Sequence, residues 1–174
     1  MYGQAMKVVE RAIGFHPEKL DFRFLKANAY IAYEKESPDM ALAYLLSLID
    51  ESLSRKVWLY DGEPSDAAFF AEAMLEYCFT FYTIGSPAAM NAFLTLSQRM
   101  NELDPKNPAF INNIGTYYLI AKEDYKTALK YYNKVLKAFP DDHTAIKNCV
   151  LLARKQNNVK LERKYLPLLA KYGD

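Results

Sequence analysis

The sequence predicts an all-α chain of stacked antiparallel helix pairs, about nine helices in total, on three observations. First, residues 108–140 carry two apolar stripes at helical spacing: Ile111, Ile114, Gly115 and Tyr118 at i, i+3, i+4 and i+7, then Ala128, Tyr132, Val135, Leu136 and Phe139 before Pro140. Lys122, Glu123 and Asp124 interrupt the pattern, and a turn that short sets the two helices antiparallel. Second, the spacing of Ala128, Tyr132, Val135 and Pro140 recurs in Ala5, Val9, Ala12 and Pro17. Third, 51% hydrophobic, 14% aromatic and 25% charged residues exclude disorder, while 6 Gly and 8 Pro leave room only for short turns.

Gly115 gives up about 1 kcal/mol of helix propensity relative to alanine, so its place in a helix interior predicts a close approach there. Ala128 is the expected small partner, with Tyr118, Tyr132 and Phe139 filling the space beside it. Ile111, Ile114-Gly115, Tyr118, Ala128, Tyr132 and Pro140 resemble the tetratricopeptide repeat (TPR) pattern. Ile111 stands where that pattern has tryptophan, and the inter-helix turn is one residue longer. The resemblance implies a right-handed α-α superhelix, a TPR-like solenoid acting as a protein-protein interaction scaffold. The first helix of each pair would line its concave groove, where a peptide or partner protein binds.

In chain order, residues 1–17 read as the second half of a repeat. Without a preceding helix, Val9 and Ile13 form an exposed strip, which predicts either a homodimer through this half repeat or further repeats upstream. Residues 18–53 form a helix pair. Ala27 and Tyr30 are placed like Gly115 and Tyr118, Ser37-Pro38 starts the second helix, and Ala41, Leu45 and Leu48 form its apolar face. Residues 54–66 fit no repeat position. They hold the lone Trp58 and the turn signal Asp61-Gly62-Glu63-Pro64, so either the preceding helix continues to about Tyr60 or an insertion packs through Val57, Trp58 and Tyr60.

Residues 67–105 read as a divergent pair. Ser65 or Asp66 caps its first helix, which is apolar nearly all round and is expected to be the most buried of the chain. Ser86-Pro87 opens the second, where Phe93 and Ser97 exchange the large and small positions of Ala128 and Tyr132. Residues 107–140 are the clearest repeat, and 142–174 form a C-terminal pair or cap. Asp142 caps the first helix of that pair, with Ile146, Cys149, Val150 and Ala153 facing inward. Pro167 should bend the last helix, and its charge, from Lys160, Glu162, Arg163, Lys164 and Lys171, suits an end cap.

Net charge is +1, so no global field points to nucleic acid. The charge is uneven: residues 122–174 hold 12 Lys and Arg against 6 Asp and Glu, whereas residues 1–121 hold 10 against 15. Cys78 and Cys149 have no CxxC pairing and read as buried free thiols. No apolar run reaches the roughly 20 residues of a membrane span. Location is left open: cytoplasmic for a chain complete as it stands, periplasmic if an upstream signal segment has been removed.

Catalytic and cofactor motifs are absent from this reading. His16 and His143 fall in loops without a second ligand at metal spacing, no phosphate loop occurs, and neither metal nor cofactor is expected. Lys126, Lys130, Lys134 and Lys137 read as a solvated helix face. The resemblance places the groove contacts at Asn112, Asn113, Thr116 and Leu119 in one repeat and Lys147, Asn148, Leu151 and Arg154 in the next, with Asn113 and Asn148 equivalent. Asparagine can bond both groups of an extended backbone, and Lys or Arg can hold a carboxylate; structural bridging by the asparagines is the competing reading. The competing function is an enzyme or small-molecule receptor with a pocket between the 54–66 insertion and the helix at 67–85, using Glu72, Glu76 and Tyr77.

Overall fold

Most helices of this chain start where a short polar side chain accepts an N–H that the first turn leaves free. In the computed structural model, which describes residues 2–55 and 57–172, Asp66 accepts from Phe69 at 3.0 Å and Ser86 from Ala89 at 3.1 Å. Asn107, Asp124 and Asp142 likewise accept from Ala109, Thr127 and Ala145. Each such cap stabilises its helix by about 1 kcal/mol. Ser37 does not act this way. Pro38 occupies the cap position, and the Glu34 carboxylate reaches forward to accept the Met40 N–H at 3.0 Å.

The described residues form nine α-helices and one small hairpin. They are α1 (Tyr2–Phe15), α2 (Leu20–Tyr33), α3 (Asp39–Ser54), β1 (Trp58–Tyr60), β2 (Glu63–Ser65), α4 (Ala67–Ile84) and α5 (Pro87–Leu103). Then follow α6 (Pro108–Ile120), α7 (Tyr125–Ala138), α8 (His143–Lys155) and α9 (Val159–Tyr172). The chain is all-α, and it divides into two compact units, Met1–Arg99 and Met100–Asp174. Lys56 of the insertion and residues 173–174 of the C-terminal segment lie outside the described residues.

In the second unit α6 packs on α7 and α8, and α8 on α9. The close approach expected at Gly115 is present, but its partner is the Tyr132 ring and not Ala128. A Cβ at Gly115 would stand 2.6 Å from Tyr132 Cε1 and 3.2 Å from Tyr131 Cβ. Glycine is therefore what lets the Tyr132 ring approach the helix backbone this closely. Tyr118 stacks on Tyr131 with centroids 5.8 Å apart. Leu119, Ala128, Tyr132, Cys149, Val150, Leu152 and Tyr165 make one buried cluster. α9 runs unbroken through Pro167, which is exposed.

In the first unit α2 lies against both α1 and α3. Val9 is buried by this packing, at 7% exposure, and Ile13 is half-buried, so the exposed strip expected there does not exist. The large apolar side chains that α1 does expose are Val8 and Phe15.

α3 ends at Ser54, and the insertion is an antiparallel hairpin with Tyr60 opposite Glu63. Asp61 and Gly62 both have positive φ, +49° and +82°, the geometry of the tight two-residue turn that suits strand twist. Trp58 is its buried anchor, while Val57 and Tyr60 are exposed. α4 is not the most buried helix: six of its 18 residues are buried, against eight of 13 in α6. The reason is the face of α4 that carries Glu72 and Glu76, which stays in water. Between α4 and α5 the exchanged residues fit as a set. Buried Ser97 donates to the Cys78 sulfur at 3.7 Å, and the Phe93 ring packs on Tyr82.

Candidate functional site

Two stripes of identical spacing face one cleft in the first unit. On α2 they are Asp21, Phe24, Leu25 and Asn28, and on α4 Phe69, Glu72, Ala73 and Glu76, each at i, i+3, i+4 and i+7. Tyr60 of the hairpin and Tyr77 complete the lining of an open cleft of about 450 Å³. Its rings form a continuous wall: Phe24 lies 6.1 Å from Tyr60, 6.4 Å from Phe69 and 6.0 Å from Tyr77, and Tyr60 lies 4.5 Å from Phe69. The only ionisable acids or bases among its lining residues other than tyrosine are acidic: Asp21, Glu72 and Glu76.

The hairpin is held in place by backbone and charge. The Leu59 N–H donates to the Glu18 carbonyl at 3.0 Å, and the Asp61 N–H donates to the Asp21 carboxylate at 3.1 Å. Beneath it, Trp58 carries the guanidiniums of Arg23 and Arg55 over its ring, at 5.9 and 4.7 Å. Both arginines also bond the Glu51 carboxylate at 3.0 Å. Tyr77 is turned inward. Its hydroxyl donates to the Phe24 carbonyl at 3.3 Å, and burial raises its pKa above the ordinary phenol value.

The eight residues placed in the groove by the resemblance are divided by the structure. Asn112, Asn113 and Leu119 are buried, at 2%, 5% and 1% exposure. Asn112 donates to the Asp142 carboxylate at 3.0 Å, so it joins the start of α8 to α6. Thr116 lies 3.4 Å from the Tyr132 hydroxyl, and Leu119 belongs to the apolar cluster. Lys147, Leu151 and Arg154 are exposed on α8 and Asn148 is half-buried. Arg154 is already paired with Glu162 at 2.7 Å.

Of the residues proposed for a pocket, Glu72, Glu76 and Tyr77 do line one, but its facing walls are α2 and α4, and the 54–66 insertion contributes Tyr60 at the edge instead of the second wall expected. Phe24, Leu25, Asn28, Tyr60 and Phe69 are the members that sequence reasoning missed. A signal existed for three of them: Asn112, Asn113 and Thr116 sit three before, two before and one after Gly115, and the same offsets from Ala27 give Phe24, Leu25 and Asn28. The two cysteines are buried free thiols, each pushed up to about 12, chiefly by burial. Among the described residues no three His, Cys, Asp or Glu side chains are grouped to hold a metal ion, and no helix is long and apolar enough to cross a membrane.

No family model matches this chain, and no curated protein matches it. Solved structures do. The crystal structure of MamA is 14% identical and superposes with a TM-score of 0.63 over 98% of this chain and 88% of that one. A structure of PilF from Pseudomonas aeruginosa is 15% identical, with a TM-score of 0.59 over 99% of this chain and 69% of that one. Both contain tetratricopeptide repeats, and at these identities the likeness is one of fold. The fold of this chain is TPR-like.

Proposed function

We propose that this chain is a divergent tetratricopeptide protein and a non-enzymatic interaction scaffold, taking an extended segment of a partner protein along the faces of α2 and α4. The observation that supports it is the open cleft, lined by two helix stripes of matched spacing and left unfilled by the chain's own side chains. Two stripes on one cleft offer a series of side-chain subsites to an extended peptide, the arrangement by which a helical scaffold reads sequence. The cleft's three carboxylates favour a protein partner over nucleic acid, whose phosphates they would repel. Lys147, Asn148, Leu151 and Arg154 on α8 stand as a second, smaller contact surface in this reading.

An enzyme or small-molecule receptor at the same cleft is the competing function. Against it, Glu72 and Glu76 are both exposed, without the burial that a general acid draws on, and the Tyr77 hydroxyl is engaged with backbone. Selection from a displayed library of short random peptides tests the proposal. Peptides should be enriched on the parent protein and lost on Ala73→Arg, which fills the middle of the cleft; absence of enrichment, or equal enrichment on both proteins, would sink it.

A further inference from the structure

We propose that the side chain this cleft selects is an arginine of the partner segment, held flat against the aromatic wall with its guanidinium on Glu72 and Glu76. The proposal rests on the scaffold reading above and names the chemistry of its partner. A guanidinium is planar and weakly hydrated; it stacks on rings and bonds carboxylates through a fixed fork of donors. The cleft supplies both halves of that recognition. Phe24, Tyr60 and Phe69 form the wall, and Glu72 and Glu76 stand one turn apart on α4. Among the described residues no cation is paired with either glutamate, in contrast to Glu10, which holds Lys26, and Glu51, which holds Arg23 and Arg55. Asp21 is committed to the Asp61 N–H, so it adds negative potential while leaving the fork to the glutamates.

The same unit already contains this chemistry in a filled form. Arg23 and Arg55 lie over Trp58 while bonding Glu51 at 3.0 Å, so a guanidinium sandwiched between ring and carboxylate is an arrangement this fold tolerates a few residues away. Lysine would keep the charge and lose the stacking plane. A neutral side chain of the same shape would keep the plane and lose the charge.

The test is fluorescence polarisation with labelled Gly/Ser peptides that differ only in carrying arginine, lysine or citrulline. Arginine should bind best and citrulline at least about tenfold more weakly, the loss expected when a charged hydrogen bond is removed. Glu72→Gln with Glu76→Gln should abolish the preference for arginine over citrulline, whereas Glu36→Gln with Asp141→Asn, an equal charge change at two exposed sites, should keep it. Tyr60→Ala should weaken the arginine peptide more than the lysine one. Equal binding of arginine and citrulline, or equal loss in the control pair, overturns the proposal. So does self-association of the free protein that the glutamate substitutions abolish, because the occupant would then be a second copy. Should the peptide library yield binders at Ala73 that show no arginine preference, this proposal falls and the scaffold reading stands; a library that yields none brings down both.

Discussion

The α2 and α6 helices share one register of residues and use it differently. At matching offsets from a buried small residue, Ala27 or Gly115, α6 places Asn112 and Asn113 in the interior, while α2 places Phe24, Leu25 and Asn28 along an open cleft. The difference follows from what each helix is asked to hold. α6 is fixed by a ring against its backbone and by Asn112 on the cap of α8, so its side chains are consumed by packing. α2 and α4 keep one stripe each in water, and the hairpin supplies Tyr60 at its edge. Regular repeat spacing in α6 goes with tight packing, whereas the same spacing in α2 goes with an open cleft, the face proposed here to bind.

Ways of breaking that comparison can be ranked by expected effect. The largest comes from pH, because each unit buries one thiol. Cys78 and Cys149 are both raised to about 12, chiefly by desolvation, so each stays protonated in the folded protein while the unfolded chain ionises from roughly pH 8.5. Stability is then unaffected below that value and falls as pH rises towards 12, by up to about 1.4 kcal/mol per pH unit per thiol. Buried Tyr77 and Tyr165 and half-buried Tyr44 are raised chiefly by desolvation too and act in the same direction at the alkaline end. Urea titrations at stepped pH should show this fall, and Cys78→Ala or Cys149→Ala should each flatten part of it; a flat profile in the parent would mean the thiols are not sequestered.

Next is Gly115→Ala. Helix propensity alone favours the change by about 1 kcal/mol. The fully buried Tyr132 ring has no room to withdraw, so overpacking should dominate and destabilise by about 1–3 kcal/mol in chemical denaturation. A stabilised variant would show the ring contact to be looser than it stands.

Asp142→Ala follows, with a cost of about 1–2 kcal/mol. It removes the cap on the Ala145 N–H and also the acceptor of the buried Asn112 amide. Denaturation of the single and of the double variant with Asn112→Ala should show the two losses to be less than additive, since they share one carboxylate. The smallest effect is in the open cleft. Glu72→Gln with Glu76→Gln should change stability by no more than about 0.5 kcal/mol, both side chains being exposed. A larger loss in thermal melting would mean that the stripe serves packing after all.

Much of this division was legible in residue spacing, and what escaped did so for physical reasons. The α6–α7 pair announces itself because a ring lying on a helix demands Gly115, and Asp142 reads as a cap because the first turn needs an acceptor. The hairpin was visible only as a turn. Its strands have three residues each, too few for alternation to register, although Asp61-Gly62 is the dipeptide a tight hairpin prefers. α4 misled through composition: its apolar richness suggested burial all round, although Glu72 and Glu76 at helical spacing already marked a polar face. Asn112 and Asn113 were misplaced because a polar side chain on a groove-facing position looks like a contact, and burial is decided by neighbours remote in sequence.

Hydrogen exchange measured with and without a saturating arginine peptide tests most directly the claim that binding belongs to the open cleft. Slowed exchange is expected in peptides from α2, the hairpin and α4, with α6 and α8 unchanged. Protection confined to α8 around Lys147 and Leu151, with α2 and α4 exchanging as in the free protein, would contradict it.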